Sequence, residues 1–181
     1  MYIGGDLGST NLKAARYDEK LNCVAQKGAP VDYIREGEFI EFDAEEFFSI
    51  LSSVVNKIAE KFPIDAMSVD TQGETLIVLD KGGKPLMNAI IWLDNRAEKQ
   101  AKEIEKTFGV ERLYNLTGQA EVPAGYPAPK IEWLKDNAPE IFNNADKFLL
   151  LEDYIVYRLT GKFCSSRSLF SSSLLMNIHT G

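Results

Sequence analysis

The chain has 181 residues, 45% of them hydrophobic, and a formal charge of −7, an ordinary globular balance with enough apolar matter for a core. No apolar run approaches the roughly 20 residues of a membrane span, and the first residues lack a basic region and carry Asp6, so they do not form a signal peptide. The acidic field, densest at Glu36, Glu38, Glu41, Asp43, Glu45 and Glu46, repels phosphate backbones and anionic lipid and argues against nucleic-acid and membrane partners.

A nucleotide remains compatible with that field, because a local loop and a metal ion can outweigh net charge. Cys23 and Cys164 have neither metal-binding nor redox spacing and are expected to be reduced and packed, in a cytoplasmic protein.

Taken in chain order, residues 2–6, 12–17 and 22–26 read as three strands. Turns fall at 8–10 and 18–20, and connections this short favour antiparallel neighbours. Asp43 is placed to cap a helix, with Glu46 completing a capping box. Phe47, Leu51, Val54 and Ile58 then recur at i, i+4, i+7 and i+11. Strands follow at 66–69, 76–80 and 89–92, with a hairpin turn at 81–84 and the sequence Thr-Gln-Gly-Glu-Thr between the first two.

An amphipathic helix is expected over 96–108, with Ala97, Ala101, Ile104 and Phe108 on one face, and further helices over 110–116, 129–137 and 152–159. Tyr154 and Tyr157 read as core, the acidic run 36–46 as a solvated loop and helix start, and the Pro- and Gly-rich stretch 122–129 as a loop. Residues 165–173 read as loop and strand, and His179 as a solvent residue without a role. No repeat is present. The chain stops at His-Thr-Gly without a closing element, as a piece of a longer protein would. Strands, a helix, more strands and then helices make an α/β architecture.

The opening segment Gly-Gly-Asp-Leu-Gly-Ser-Thr-Asn-Leu-Lys carries the first chemical signal. A phosphate site needs N–H and O–H donors close to the anion, and glycine lets the backbone approach. Gly8, Ser9, Thr10 and Asn11 supply these, Asp6 could hold a magnesium ion directly or through water, and Lys13 adds positive charge if its strand points that way. The spacing fits neither a P-loop nor G-x-G-x-x-G. On these residues alone, a plain hairpin turn and a phosphate loop are both open.

Three later stretches join it: Thr71–Asp80 as Thr-Gln-Gly-Glu-Thr-Leu-Ile-Val-Leu-Asp, the W-x-D-x-R pattern of Trp92, Asp94 and Arg96, and Phe148–Gly161 ending in Arg-Leu-Thr-Gly. Together with the opening segment they resemble the FGGY family of carbohydrate kinases, sugar and polyol kinases of the actin-like ATPase superfamily.

The resemblance runs over the whole chain and implies the N-terminal, sugar-binding domain of such a kinase, incomplete at its C-terminal end and without the nucleotide-binding domain. It implies a ribonuclease H-like fold, with a mixed sheet flanked by helices. It also implies ATP and Mg²⁺, with Asp6 as the metal-associated carboxylate and Gly8, Ser9, Thr10, Asn11 and Lys13 toward the phosphates. Gln72, Gly73 and Glu74 fall where the family lines its sugar pocket, and a carboxylate there can accept from two adjacent hydroxyls.

Glycerol-kinase-like members read Arg-Glu at the last two of these positions and xylulokinase-like members Met-His. The Gly-Glu found here matches neither pair in full; a pentulose such as xylulose is the expected substrate, with glycerol as runner-up. Trp92 is expected along the apolar face of the substrate, Asp94 and Arg96 as braces or hydroxyl contacts, and Tyr126 as a further sugar contact. The family's catalytic aspartate would lie beyond residue 181, since residues 154–181 contain no Asp or Glu, so the chain alone is expected to be inactive. A homodimer is left open. The competing readings are an actin- or heat-shock-type ATPase acting on a protein partner, and a non-catalytic sugar sensor.

Overall fold

The computed structural model describes residues 1–181, which divide into two compact units: residues 1–32 with 44–72, and residues 33–43 with 73–181. In the first unit, β1 (Tyr2–Leu7), β2 (Asn11–Tyr17), β3 (Cys23–Pro30) and β6 (Ala66–Thr71) form a mixed sheet in the order β3-β2-β1-β6. The first three are antiparallel, and β6 pairs in parallel with β1.

Helix α1 (Ala44–Ala59) covers one face and buries Phe47, Leu51, Val54 and Ile58, the spacing expected of its apolar stripe. Against it the strands present Ile3, Leu7, Leu12 and Ala14, all at most 3% exposed. Arg16 extends this face: its guanidinium donates to the Ala59 carbonyl at 3.2 Å and lies 4.1 Å from the Phe62 ring centre. Fully burying one aliphatic side chain here contributes about 1.5–3 kcal/mol.

In the second unit, β4 (Ile34–Glu36), β5 (Phe39–Phe42), β7 (Leu76–Leu79), β8 (Ala89–Ile90) and β9 (Lys147–Leu150) form an antiparallel sheet in the order β4-β5-β8-β7-β9. Strand β7 is buried along its whole length, as a continuous apolar run implies. Leu76, Val78, Ile90 and Leu134 form a core cluster against which Phe142, Phe148 and Trp133 pack. The helices are α2 (Glu98–Phe108), α3 (Val110–Thr117), α4 (Pro127–Asn137), α5 (Pro139–Asn144), α6 (Leu151–Thr160) and α7 (Arg167–Phe170). At the start of α6 the Asp153 carboxylate accepts from the Leu150 N–H at 3.0 Å, which satisfies one of the free donors of the first turn.

Several expectations are corrected. The acidic run is not a solvated loop: residues 34–42 form the β4–β5 hairpin, turned at Gly37 with φ +61°. The strand at 89–92 shortens to Ala89–Ile90, because the chain turns at Asp94, whose N–H donates to the Ile91 carbonyl. Residues 165–173 form α7 and a single 3₁₀ turn (Ser171–Ser173) instead of a strand, their hydroxyls bonding carbonyls three residues back. Both cysteines are free as expected, but both are exposed rather than packed. Phe108 is 48% exposed. Tyr154 is core, whereas Tyr157 is half-buried and stacks on Phe163.

Candidate functional site

The candidate residues fall in both units. In the first unit, antiparallel register sets Asp6 directly opposite Lys13, and parallel register sets it beside Asp70. Directly paired residues share a sheet face, so these three lie on the face opposite α1, and all three are exposed. They help line a shallow open depression of about 530 Å³, together with Gly4, Gly5 and Asn11.

The turn at Gly8, Ser9 and Thr10 closes the β1–β2 hairpin, and the Thr10 carbonyl accepts from the Val31 N–H at 3.2 Å. A Cβ on Gly8 would lie 3.3 Å from the Asn11 carbonyl oxygen and 3.5 Å from Asp6 Oδ1. The glycine therefore leaves the Asp6 carboxylate and the turn backbone open to an incoming group. This donor set fits Mg²⁺ with a phosphate, because that ion keeps most of its waters and takes only one or two protein carboxylates. No cluster of three or more His, Cys, Asp or Glu suited to a metal is present. Gln72 also belongs to this unit, its N–H donating to the Leu7 carbonyl at 3.1 Å.

In the second unit, Asp94 and Arg96 form the centre of a buried network. Asp94 is fully buried. Its Oδ1 accepts from the Arg96 backbone N–H (3.0 Å) and Nε (2.8 Å), and its Oδ2 from Arg96 Nη2 (2.8 Å) and the Ile40 N–H (2.7 Å). Arg96 Nη2 also donates to Glu41 Oε1 at 2.6 Å. Its guanidinium lies 4.1 Å from the Phe39 ring centre and 5.0 Å from that of Trp133, a geometry in which ring faces attract the cation. Burial lowers the Arg96 pKa, and the hydrogen bonds and charges of Asp94 and Glu41 more than offset this, holding the guanidinium above its ordinary value. With both carboxylate oxygens of Asp94 engaged inside the protein, the pair has the geometry of a brace.

Glu74 stands out by its backbone, a non-glycine residue at φ +59°, in the left-handed region that side chains disfavour. Its carbonyl accepts from Lys130 Nζ at 2.7 Å, and the same Nζ donates to the Ile90 carbonyl at 3.3 Å. Burial brings the Lys130 pKa down to about 7, against the raising effect of Asp94 and Glu74 and with that of Arg96.

Tyr126 is half-buried, and its hydroxyl donates to Gln119 Oε1 at 3.0 Å. Its pKa is raised by burial first and then by the carboxylates of Glu74 and Glu121, so Glu74 and Tyr126 are electrostatic neighbours. Trp92 is 42% exposed. The loop before Tyr126 is held against it, since a Cβ on Gly125 would lie 2.2 Å from the Trp92 carbonyl oxygen. Around Gly73, by contrast, a Cβ meets nothing within 4 Å.

The structure thus associates Glu74, Asp94, Arg96 and Tyr126 around Lys130, with Trp92 beside the Tyr126 loop. Sequence reasoning missed Lys130 and Glu41. Lys130 carried a signal: it sits three residues after Pro127 and four before Leu134, both buried, so it occupies the apolar stripe of α4. Glu41 shares a face of β5 with Phe39, two residues away, and both reach the Arg96 guanidinium.

The sequence model of the N-terminal domain of the FGGY family of carbohydrate kinases matches residues 1–181. A glycerol kinase of Thermococcus onnurineus is 35% identical over 96% of this chain and 37% of its own length. A xylulose kinase of Lactococcus lactis is 32% identical over 97% of this chain and 36% of its own. The chain therefore spans little more than a third of these relatives. Among solved structures, a gluconate kinase from Lactobacillus acidophilus superposes with a TM-score of 0.92 at 27% identity, covering 99% of this chain and 37% of that one. A glycerol kinase of Plasmodium falciparum with ADP superposes at 0.89, also at 27% identity, over 99% of this chain and 38% of that one.

Proposed function

The chain belongs to the FGGY family of carbohydrate kinases, and from that premise we propose that it is the sugar-binding N-terminal domain of an ATP-dependent kinase that phosphorylates a sugar or polyol hydroxyl, a pentulose such as xylulose in preference to glycerol. The observation that carries this reading is Glu74, held in a left-handed turn whose carbonyl accepts from Lys130, one helical turn along α4 from Tyr126, with open space over Gly73. A carboxylate so placed accepts from two adjacent hydroxyls, and the tyrosine and the exposed Trp92 ring add a hydroxyl partner and an apolar face. The space at Gly73 suits a longer substrate than glycerol. Gln72 is assigned to the same turn. Asp94 and Arg96 serve as the brace beneath it.

Phosphoryl transfer is mostly positioning and charge neutralisation. Gly8, Ser9, Thr10 and Asn11 would present donors to the terminal phosphates, with Lys13 adding positive charge and Asp6 holding Mg²⁺ directly or through water. The ion, when bound, supplies neutralisation of charge on the phosphate oxygens. The sugar hydroxyl attacks the terminal phosphorus of ATP, ADP leaves, and the hydroxyl proton passes to a base that we assign to residues outside 1–181.

The test is sugar-dependent ADP release by the full-length kinase with D-xylulose, L-xylulose, gluconate and glycerol, alongside residues 1–181 alone. Turnover with a pentulose by the full-length protein and none by residues 1–181 is expected. A preference for glycerol overturns the substrate assignment. ADP release by residues 1–181 overturns the assignment of the base.

A further inference from the structure

We infer that Lys130 is a positioning residue for the sugar site, fixing through the Glu74 and Ile90 carbonyls the left-handed turn that aims the Glu74 carboxylate. The inference rests on the proposed role of Glu74 in holding the sugar.

Three observations carry it. Lys130 is fully buried, so its ammonium does not reach solvent, and it spans from α4 to two carbonyls on separate segments, Glu74 at 2.7 Å and Ile90 at 3.3 Å. Glu74 holds φ +59°, a conformation that side chains leave unless their surroundings over-determine it, and Lys130 supplies the bond on the carbonyl of that very residue. Finally, an amine in the interior is costly unless fully hydrogen-bonded. A methionine would fill the same stripe position of α4 without that cost, so packing alone does not account for lysine here. The lowered pKa of Lys130 accords with this burial; Asp94, Glu74 and Arg96 are the charged groups that act on it.

The experiment measures steady-state kinetics of the full-length kinase with D-xylulose for Glu74→Ala, Lys130→Met and the double variant. If Lys130 acts through Glu74, Lys130→Met raises the sugar KM about tenfold or more and leaves kcat and the KM for ATP within twofold. In the Glu74→Ala background the same substitution then adds less than twofold.

Should Lys130→Met fail to fold by circular dichroism, Lys130→Gln is read instead. Its amide is one bond shorter, falls short of the carbonyls, and is expected to give the same rise in sugar KM. A raised KM for Glu74→Ala beside a wild-type KM for the Lys130 variant overturns this inference alone. So do a parallel loss of kcat and ATP affinity and full additivity in the double variant. An unchanged sugar KM in Glu74→Ala overturns the proposed site and the inference together.

Discussion

Arg96 and Glu41, 55 residues apart in sequence, meet at 2.6 Å, and with Asp94 they form a nearly fully buried ion network roofed by two aromatic rings. Removing one member of a buried pair leaves an uncompensated charge, which costs about 3–5 kcal/mol. Asp94→Asn is expected near that range, because all four bonds to Asp94 involve its carboxylate oxygens. Glu41→Gln, which leaves the Asp94 pair intact, is expected to cost about 1–2 kcal/mol. Denaturant midpoints on the purified chain measure both, and equal losses would mean that Glu41 contributes as much to the network as Asp94.

Two glycines should respond in opposite ways. Gly125→Ala places a Cβ 2.2 Å from a backbone oxygen and must displace either the Tyr126 loop or Trp92, so a loss of about 2 kcal/mol or more is expected. Gly73→Ala meets nothing within 4 Å and should stay within about 0.5 kcal/mol of the parent. Thermal unfolding of the two variants side by side decides it.

Asp6 is exposed, so Asp6→Ala should leave stability within about 0.5 kcal/mol. If it holds the metal, losing a few kcal/mol of transition-state stabilisation lowers kcat of the full-length kinase by about 100-fold. Calorimetric titration should find sugar affinity almost unchanged. A loss of sugar affinity with intact turnover would make Asp6 a structural residue of the hairpin.

Lys130 sets a pH dependence. Its pKa falls from 10.5 when unfolded to about 7 when folded. Between those values the unfolded chain binds one more proton than the folded one, so stability rises with pH, by up to about 1.4 kcal/mol per unit. Below pH 7 both states are protonated and this contribution is flat. The stability of the parent minus that of Lys130→Met should therefore grow from pH 7 to pH 10 in denaturant titrations. A difference independent of pH would place the Lys130 pKa near its ordinary value.

Local pattern made much of this fold legible. The stripe of Phe47, Leu51, Val54 and Ile58 and the apolar run Leu76–Leu79 announced α1 and β7 with their buried faces. The β4–β5 hairpin was hidden because acids interrupt its apolar residues and the partner of one of them, Glu41, is Arg96, far along the chain. Nothing local says that the Glu41 side chain turns inward, to 17% exposure. The same limit applies at the site. The composition of the opening turn and of Trp92-x-Asp94-x-Arg96 marked them, whereas the left-handed φ of Glu74 and the reach of Lys130 to its carbonyl are products of tertiary packing.

The discontinuity of the two units has a consequence in time. The first unit is complete once β6 is made, at residue 71, whereas the β4–β5 hairpin made before it has no strand to join until β8. At roughly 5–20 residues per second during synthesis, Glu41 waits several seconds for Arg96 with its carboxylate and an exposed strand edge in water. The charge of Glu41 on that unpaired β5 edge then disfavours pairing between nascent chains during the wait.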